Sequence, residues 1–227
     1  MECIGMLTVG QSPRDDLVPF MIPLFGKPVR VLQGGALDGL SPQEIAGLGP
    51  NPGEVGIVAR LRDGSNTLLS HSKILPRVQA VVDRVQNEGA ELLVIMCGAD
   101  WSAIRSRVLV VNPGKVFPAI VSAVAGNRKL GVIKPSPGQL EQAKRQFADR
   151  GVQAHVTAAS PYTGAARLVD VRRAAEELVR AEVDLVWMSC VGMDEAMRDV
   201  VCEVTRKPVI LARTMLARVI SELIAGG

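Results

Sequence analysis

Two hundred and twenty-seven residues, 48% of them hydrophobic and 22% charged, suffice to bury a real core and exclude an intrinsically disordered chain. A formal charge of +3 and 3% aromatic residues supply neither the basic stripe nor the stacking platforms that nucleic-acid binding needs. The apolar runs are strand-sized, far short of the roughly 20 residues of a membrane helix.

The opening Met1-Glu2-Cys3-Ile4-Gly5 lacks the basic start and cleavage site of a secretion signal, so the expected compartment is the cytoplasm. Residues 3–9 read as a first strand, and residues 10–16 as a turn into a helix. Ser12 suits the N-cap, Pro13 the first helical position, and Asp15 and Asp16 the positive end of the dipole. Pro19 and Pro23 should shorten that helix. A second strand at 29–32 leads through a loop to Ser41-Pro42-Gln43-Glu44, a helix start with capping-box spacing. The runs 56–61 and 67–71 are joined through Asp63-Gly64, a hairpin signal. A helix over 72–88 feeds a buried strand ending at Cys97; a short strand at 108–111 and a helix to Ala125 follow. The second half has a strand at 130–133, the turn Pro135-Ser136-Pro137-Gly138, a helix at 139–150, a strand at 152–157 and a helix at 167–181. It continues with a strand ending at Cys190, a helix near 193–203, a strand at 208–211 and a closing helix to Ala225.

Two stretches are copies of one pattern: Glu91-Leu92-Leu93-Val94-Ile95-Met96-Cys97-Gly98 and Asp184-Leu185-Val186-Trp187-Met188-Ser189-Cys190-Val191. Their cysteines are 190 − 97 = 93 residues apart. The same offset lays Leu75, Val78, Val81, Val82 and Val85 on Leu168, Val171, Ala174, Ala175 and Leu178, one apolar helix face in each copy. Upstream, Leu130-Gly131-Val132-Ile133 mirrors Ile4-Gly5-Met6-Leu7 at an offset of 131 − 5 = 126. Alternating strands and helices predict an α/β protein with parallel sheets and βαβ crossovers. The internal duplication predicts two pseudo-symmetric lobes with a cleft between them. The second half completes its strand–helix units before Pro208, so the closing helix should return to the first lobe, burying Met215, Leu216, Val219, Ile220 and Leu223. Residues 1–126 plus 212–227 then form the first lobe and 127–211 the second.

In open α/β sheets ligands sit beyond the carboxyl ends of the strands, where Cys97 and Cys190 both fall. A thiol there, with a helix start behind it, has backbone N–H groups and a positive dipole close by; such surroundings favour the thiolate. Two such thiols allow acid–base chemistry at a carbon beside a carboxylate, one removing a proton and the other supplying one. The backbone N–H groups around Gly98, Val191 and Gly192 would stabilise the enediolate, and no cofactor is needed. The plain alternative is that both cysteines fill the tops of their strands as small apolar residues. Gln11, Ser12 and Arg14, beyond Thr8 of the first strand, form a second candidate cluster, since a helix N-terminus attracts anions and Arg14 can grip a carboxylate. Capping by Ser12 and a solvated Arg14 is the alternative there. Lys134 and Ser136 are the counterparts in the second half. Cys3 and Cys202 read as core residues. No CxxC spacing and no ligand pattern with His71 or His155 is present, so free thiols and no metal site are expected. His71 and His155 read as structural or surface residues, and Asp100 and Asp194 as helix caps.

Three stretches resemble the AroM family: Leu7-Thr8-Val9-Gly10-Gln11-Ser12-Pro13-Arg14-Asp15-Asp16, Ala36-Leu37-Asp38-Gly39-Leu40-Ser41 and Met188-Ser189-Cys190-Val191-Gly192. The likeness runs over essentially the whole chain. More distantly, the paired strand-end cysteines resemble the aspartate/glutamate/hydantoin racemase superfamily. That resemblance implies two pseudo-symmetric α/β lobes with Cys97 and Cys190 at the two catalytic positions. It also implies a range of carboxylate reactions, since maleate isomerase and arylmalonate decarboxylase share the scaffold. Gly98-Ala99-Asp100 and Val191-Gly192-Met193 stand where racemases carry Asn-Thr and Thr-His or Thr-Glu. That departure points away from amino-acid racemisation and towards other carboxylate chemistry or binding. AroM-type chains can also lack the first cysteine, which makes one-thiol chemistry an option.

The expected function is cofactor-independent proton transfer or isomerisation on a small carboxylate, with neither nucleic acid nor membrane as partner and a homodimer left open. The alternative is a non-catalytic carboxylate-binding or sensor protein that kept the cleft without the chemistry. A nucleotide-binding enzyme ranks third, because no GxGxxG or Walker pattern follows any strand.

Overall fold

In the computed structural model, which describes residues 1–226, the chain starts with β1 (Cys3–Thr8), buried along its whole length. Its run Cys-Ile-Gly-Met-Leu-Thr shows no polar alternation, as a strand covered on both faces requires. A short helix α1 (Val18–Met21), β2 (Arg30–Gly35), α2 (Pro42–Gly47) and the hairpin of β3 (Ile57–Arg60) and β4 (Asn66–Leu69) follow. Next come α3 (His71–Asn87), β5 (Leu92–Ile95), β6 (Leu109–Val111) and α4 (Pro113–Ala125). The first sheet is parallel, in the order β2-β1-β5-β6. Ser41 and Glu44 form the expected capping box on α2, and the expected hairpin is antiparallel, with Arg60 opposite Asn66. The helix α3 presses Ile74, Val78, Val82 and Val85 into the core.

The second half runs β7 (Leu130–Lys134), α5 (Leu140–Ala148), β8 (Ala154–Ala158), α6 (Ala166–Arg180), β9 (Leu185–Met188), α7 (Glu195–Thr205), β10 (Val209–Leu211) and α8 (Ala212–Ala225). Its sheet is also parallel, in the order β8-β7-β9-β10. Strand for strand this is the order of the first sheet, and the duplication reaches individual hydrogen bonds. Glu91 N–H donates to the Cys3 carbonyl and Asp184 N–H to that of Lys129; Met96 N–H donates to Leu7 and Ser189 N–H to Ile133. The donors differ by 93 and the acceptors by 126, the two offsets read from the sequence. Glycine recurs for the same reason: a Cβ on Gly5 would stand 2.5 Å from Val85, and one on Gly131 would stand 3.0 Å from Leu178. Each central strand lets its helix approach closely.

The chain divides into two compact units, Met1–Gly114 with the segment from Leu216 onward, and Lys115–Met215. Within the first unit, the Ser221 hydroxyl donates to the Phe25 carbonyl at 3.1 Å. The buried face of α8 is turned from the expected one. Leu216, Ala217, Ile220 and Ile224 are fully buried, whereas Met215, Val219 and Leu223 lie at its margin. No helix among the described residues is long and apolar enough to cross a membrane.

One expected element is absent. Residues 11–17 form turns, and α1 is a four-residue helix that begins only at Val18, after an N-cap Leu17 without a side-chain bond. The helix-start pattern at Ser12 is defeated because its hydroxyl and amide are taken by a residue distant in sequence, Asp38. Pro19 and Pro23 confine what helix remains to short pieces.

Candidate active site

The first unit's strand ends carry a closed polar network. Ser12 donates its amide (2.8 Å) and hydroxyl (2.5 Å) to the two carboxylate oxygens of Asp38, which also receives the Gly35 amide. Leu37 N–H donates to the Gly10 carbonyl. A Cβ on Gly35 would stand 2.6 Å from both Gly10 O and Ser12 N, so only glycine lets the two loops touch. The 10–16 turn and the Ala36–Ser41 segment, two of the stretches that carry the family resemblance, thus dock on each other through Asp38. Nothing in the surrounding sequence predicts a role for that residue. An Asp-Gly pair in a loop is its only local signal.

The other members of the cluster are held as firmly. Gln11 Oε1 accepts from Arg62 N–H at 2.7 Å, and Arg62 also donates to the Ser12 carbonyl. The Thr8 hydroxyl accepts from Gly10 N–H and from Arg14 Nη1. Arg14, expected as a carboxylate grip, is 3% exposed and forks onto Asp16, with Nε and Nη2 each 2.8 Å from a carboxylate oxygen. Burial works to raise the Asp16 pKa, but the Arg14 hydrogen bonds and the charges of Arg14 and Arg60 outweigh it and hold the carboxyl below its ordinary value. These residues are brought together, and they shape the turn at the end of β1.

Cys97 lies two residues past β5, half-buried against the unit's core. Its carbonyl accepts from Trp101 Nε1 at 3.3 Å. No helix starts behind it: residues 98–108 form a loop, and the next helix is α4 at Pro113. Asp100, expected as a cap, instead accepts from the Ser102 amide and hydroxyl and from Asn112 Nδ2. His71 has a definite place, with Nε2 2.8 Å from the Asp100 carbonyl and its ring 4.9 Å from that of Trp101. Gly98 follows the thiol directly and heads this loop.

In the second unit, the Ser189 amide and hydroxyl both donate to the Ile133 carbonyl, which ties the residue before Cys190 to the end of β7. Gly192 N–H donates to Cys190 Sγ at 3.4 Å, and Met193 N–H to the Cys190 carbonyl at 3.0 Å. Val191 and Gly192 are therefore the middle of a turn closed around the sulfur. Tyr162, the chain's one tyrosine, covers that turn: a Cβ on Gly192 would stand 2.3 Å from its hydroxyl oxygen. Ser136 precedes a 3-10 turn that its side chain does not cap. His155 also has a partner, with Nε2 2.8 Å from Glu177 Oε1, while Thr157 donates to Oε2. Burial raises the Glu177 pKa, but the bonds from His155 and Thr157 hold its carboxyl below the ordinary range.

Asp194 does cap α7, accepting from Met197 N–H at 2.9 Å while Arg167 Nε donates to its other oxygen. Asp194→Ala should lower stability by about 1 kcal/mol, as lost N-caps do. The check is a urea midpoint that falls with the slope unchanged; an unmoved midpoint would remove the cap from the account.

Two four-stranded parallel sheets of one strand order, each with a cysteine just past its third strand in sequence, define a protein with the aspartate/glutamate racemase-like fold. Picrophilus torridus aspartate racemase is similar over 99% of this chain and 95% of its own (TM-score 0.62, 13% identity). A glutamate racemase isoform from Bacillus anthracis covers 99% of this chain and 82% of its own (0.65, 15%). Arylmalonate decarboxylase covers 100% and 94% (0.56, 15%). At such identities the likeness is one of fold. Residues 4–224 match the model of the family described as AroM protein, and the chain belongs to the AroM family. Sequence comparison with curated proteins gives no match.

Proposed function

We propose that this protein catalyses cofactor-independent proton transfer at a carbon beside the carboxylate of a small acid, in a reaction of the racemase, isomerase or decarboxylase type. The observation that carries the reading is the Cys190 turn. Its thiol lies just past the carboxyl end of β9, where ligands of open α/β sheets bind, and a backbone N–H is aimed at the sulfur. That donor makes the sulfur an acceptor, the polarity a proton-abstracting group requires. As Cys190 takes the proton, the C–H bond breaks and an S–H bond forms. The electron pair spreads into the carboxylate as an enediolate, which backbone N–H groups stabilise. Cys97 or solvent returns a proton to carbon. In the decarboxylase variant the C–C bond to a leaving carboxylate breaks instead, and a thiol proton quenches the carbanion.

The backbone of Gly98, Val191 and Gly192 and the Ser136 hydroxyl serve as substrate contacts. Thr8, Gln11, Ser12 and Arg14 contribute through the turn they shape. Fold analogy with the racemases and the decarboxylase supports the reaction class. Incubation in D2O with 2-amino, 2-hydroxy and 2-aryl acids and their malonates, followed by proton NMR, tests it. The expected result is loss of the proton signal beside the carboxylate, or release of carbon dioxide, in one class of acid. Saturable binding with neither change would make the protein a carrier or sensor.

A further inference from the structure

We infer that Arg213 is the positioning residue of the Cys190 turn and makes the two cysteine half-sites unequal, an inference that rests on the reading of Cys190 as the working thiol. Arg213 is the second residue of α8, two positions beyond β10, and 3% of it is exposed. Nε donates to the Val191 carbonyl at 3.2 Å, Nη2 to the Gly192 carbonyl at 3.3 Å, and Nη1 to Glu195 Oε2 at 3.4 Å. The Val191 carbonyl and the Gly192 N–H belong to one planar peptide unit, in which they point in opposite directions. The guanidinium grips the oxygen end of that unit, and its N–H end is aimed at Cys190 Sγ. Holding one end directs the other, and a charge-assisted bond on the oxygen polarises the N–H towards the sulfur.

The first unit lacks this device. β6 and β10 pair with their neighbours at Val110↔Leu93 and Val209↔Val186, an offset of 209 − 110 = 99. It puts Gly114 at the place of Arg213, and the offset of 93 puts Ala99 at the place of Gly192. A Cβ on Gly114 would stand 2.1 Å from the Ala99 carbonyl oxygen. Backbone meets backbone there, no side chain fits, and no guanidinium supports the Cys97 turn from that position.

The test alkylates the intact protein with iodoacetate and, separately, iodoacetamide, and maps Cys97, Cys190 and Cys202 by mass. Iodoacetate is a small carboxylate, so the ratio of the two rates at Cys190 reports local positive charge, which a purely structural residue would not set. In Arg213→Met, the Cys190 rate should fall about tenfold or more, the scale on which a displaced reacting group is felt. The iodoacetate preference should fall with it, while Cys97 and Cys202 hold their rates. Arg213→Lys should restore the preference and only part of the rate, since it keeps the charge without the fork. Should Arg213→Met fail to fold, Glu195→Gln, which removes the negative charge beside the guanidinium, and Arg213→Lys carry the same comparison. Unchanged rate and preference at Cys190 in the folded variants, or equal changes at all three thiols, would overturn the assignment. Alkylation needs no substrate, so failure to find hydrogen exchange in wild type would sink the proposed reaction and leave this result standing.

Discussion

Cys190→Ser should abolish hydrogen exchange into any carboxylate the protein turns over, with a loss of roughly 10²–10⁴-fold, the range that a positioned acid or base contributes. Serine keeps the size of the side chain and accepts the Gly192 N–H, so folding should be unaffected. What is lost is the thiol itself, since a hydroxyl is a far weaker acid and a poorer proton carrier. Cys97→Ser separates the mechanisms. If exchange persists in Cys97→Ser while inversion of configuration stops, two thiols act on opposite faces. If both persist, the chemistry needs one thiol, as in decarboxylation or one-base isomerisation. Exchange at the wild-type rate in Cys190→Ser would remove this cysteine from the reaction.

Asp16→Ala should cost about 3 kcal/mol, the lower end of what is lost when one partner of a buried ion pair is removed. The Arg14 side chain is 4% exposed and that of Asp16 24%, so the deletion takes the neutralising carboxylate from a guanidinium that water barely reaches. The pH dependence gives the sign. Because the Asp16 carboxyl titrates below its ordinary 3.8, its contribution is fully present above that value and is lost as pH falls through the lower folded-state value. The stability gap between wild type and Asp16→Ala, followed by circular dichroism in urea at each pH, should stay constant from neutrality down to that region and then close. A gap that persists unchanged through pH 2 would show that the cost is packing alone.

Much of the frame was legible because it follows from local pattern. The offset of 93 is carried by continuous apolar strands and by one apolar helix face in each half, and both recur in the two sheets. The turn at residues 11–17 was not legible, because Ser-Pro followed by two aspartates is a sound helix start until a partner 26 residues away claims the serine. A single sequence does not display that pairing, although Asp38 lies within a stretch that carried the family resemblance. The internal partner of Arg14 was not legible for a related reason. A turn arginine beside a strand end suits an external carboxylate as well as an internal one, and Asp16 lay two residues off. The burial of Arg213 was not legible because an arginine early in an amphipathic helix suits a solvated position as well. Only its position directly after a strand hinted at burial.

The two tryptophans of the chain fall one to each compact unit, and each is tied to the neighbourhood of that unit's cysteine. Trp101 donates to the Cys97 carbonyl, and Trp187 lies in β9, three residues before Cys190, with its ring 5.2 Å from that of Phe117. The intrinsic fluorescence is therefore a two-channel signal. Replacing either indole with phenylalanine leaves a single emitter, so the melting of each unit can be followed separately without an added fluorophore.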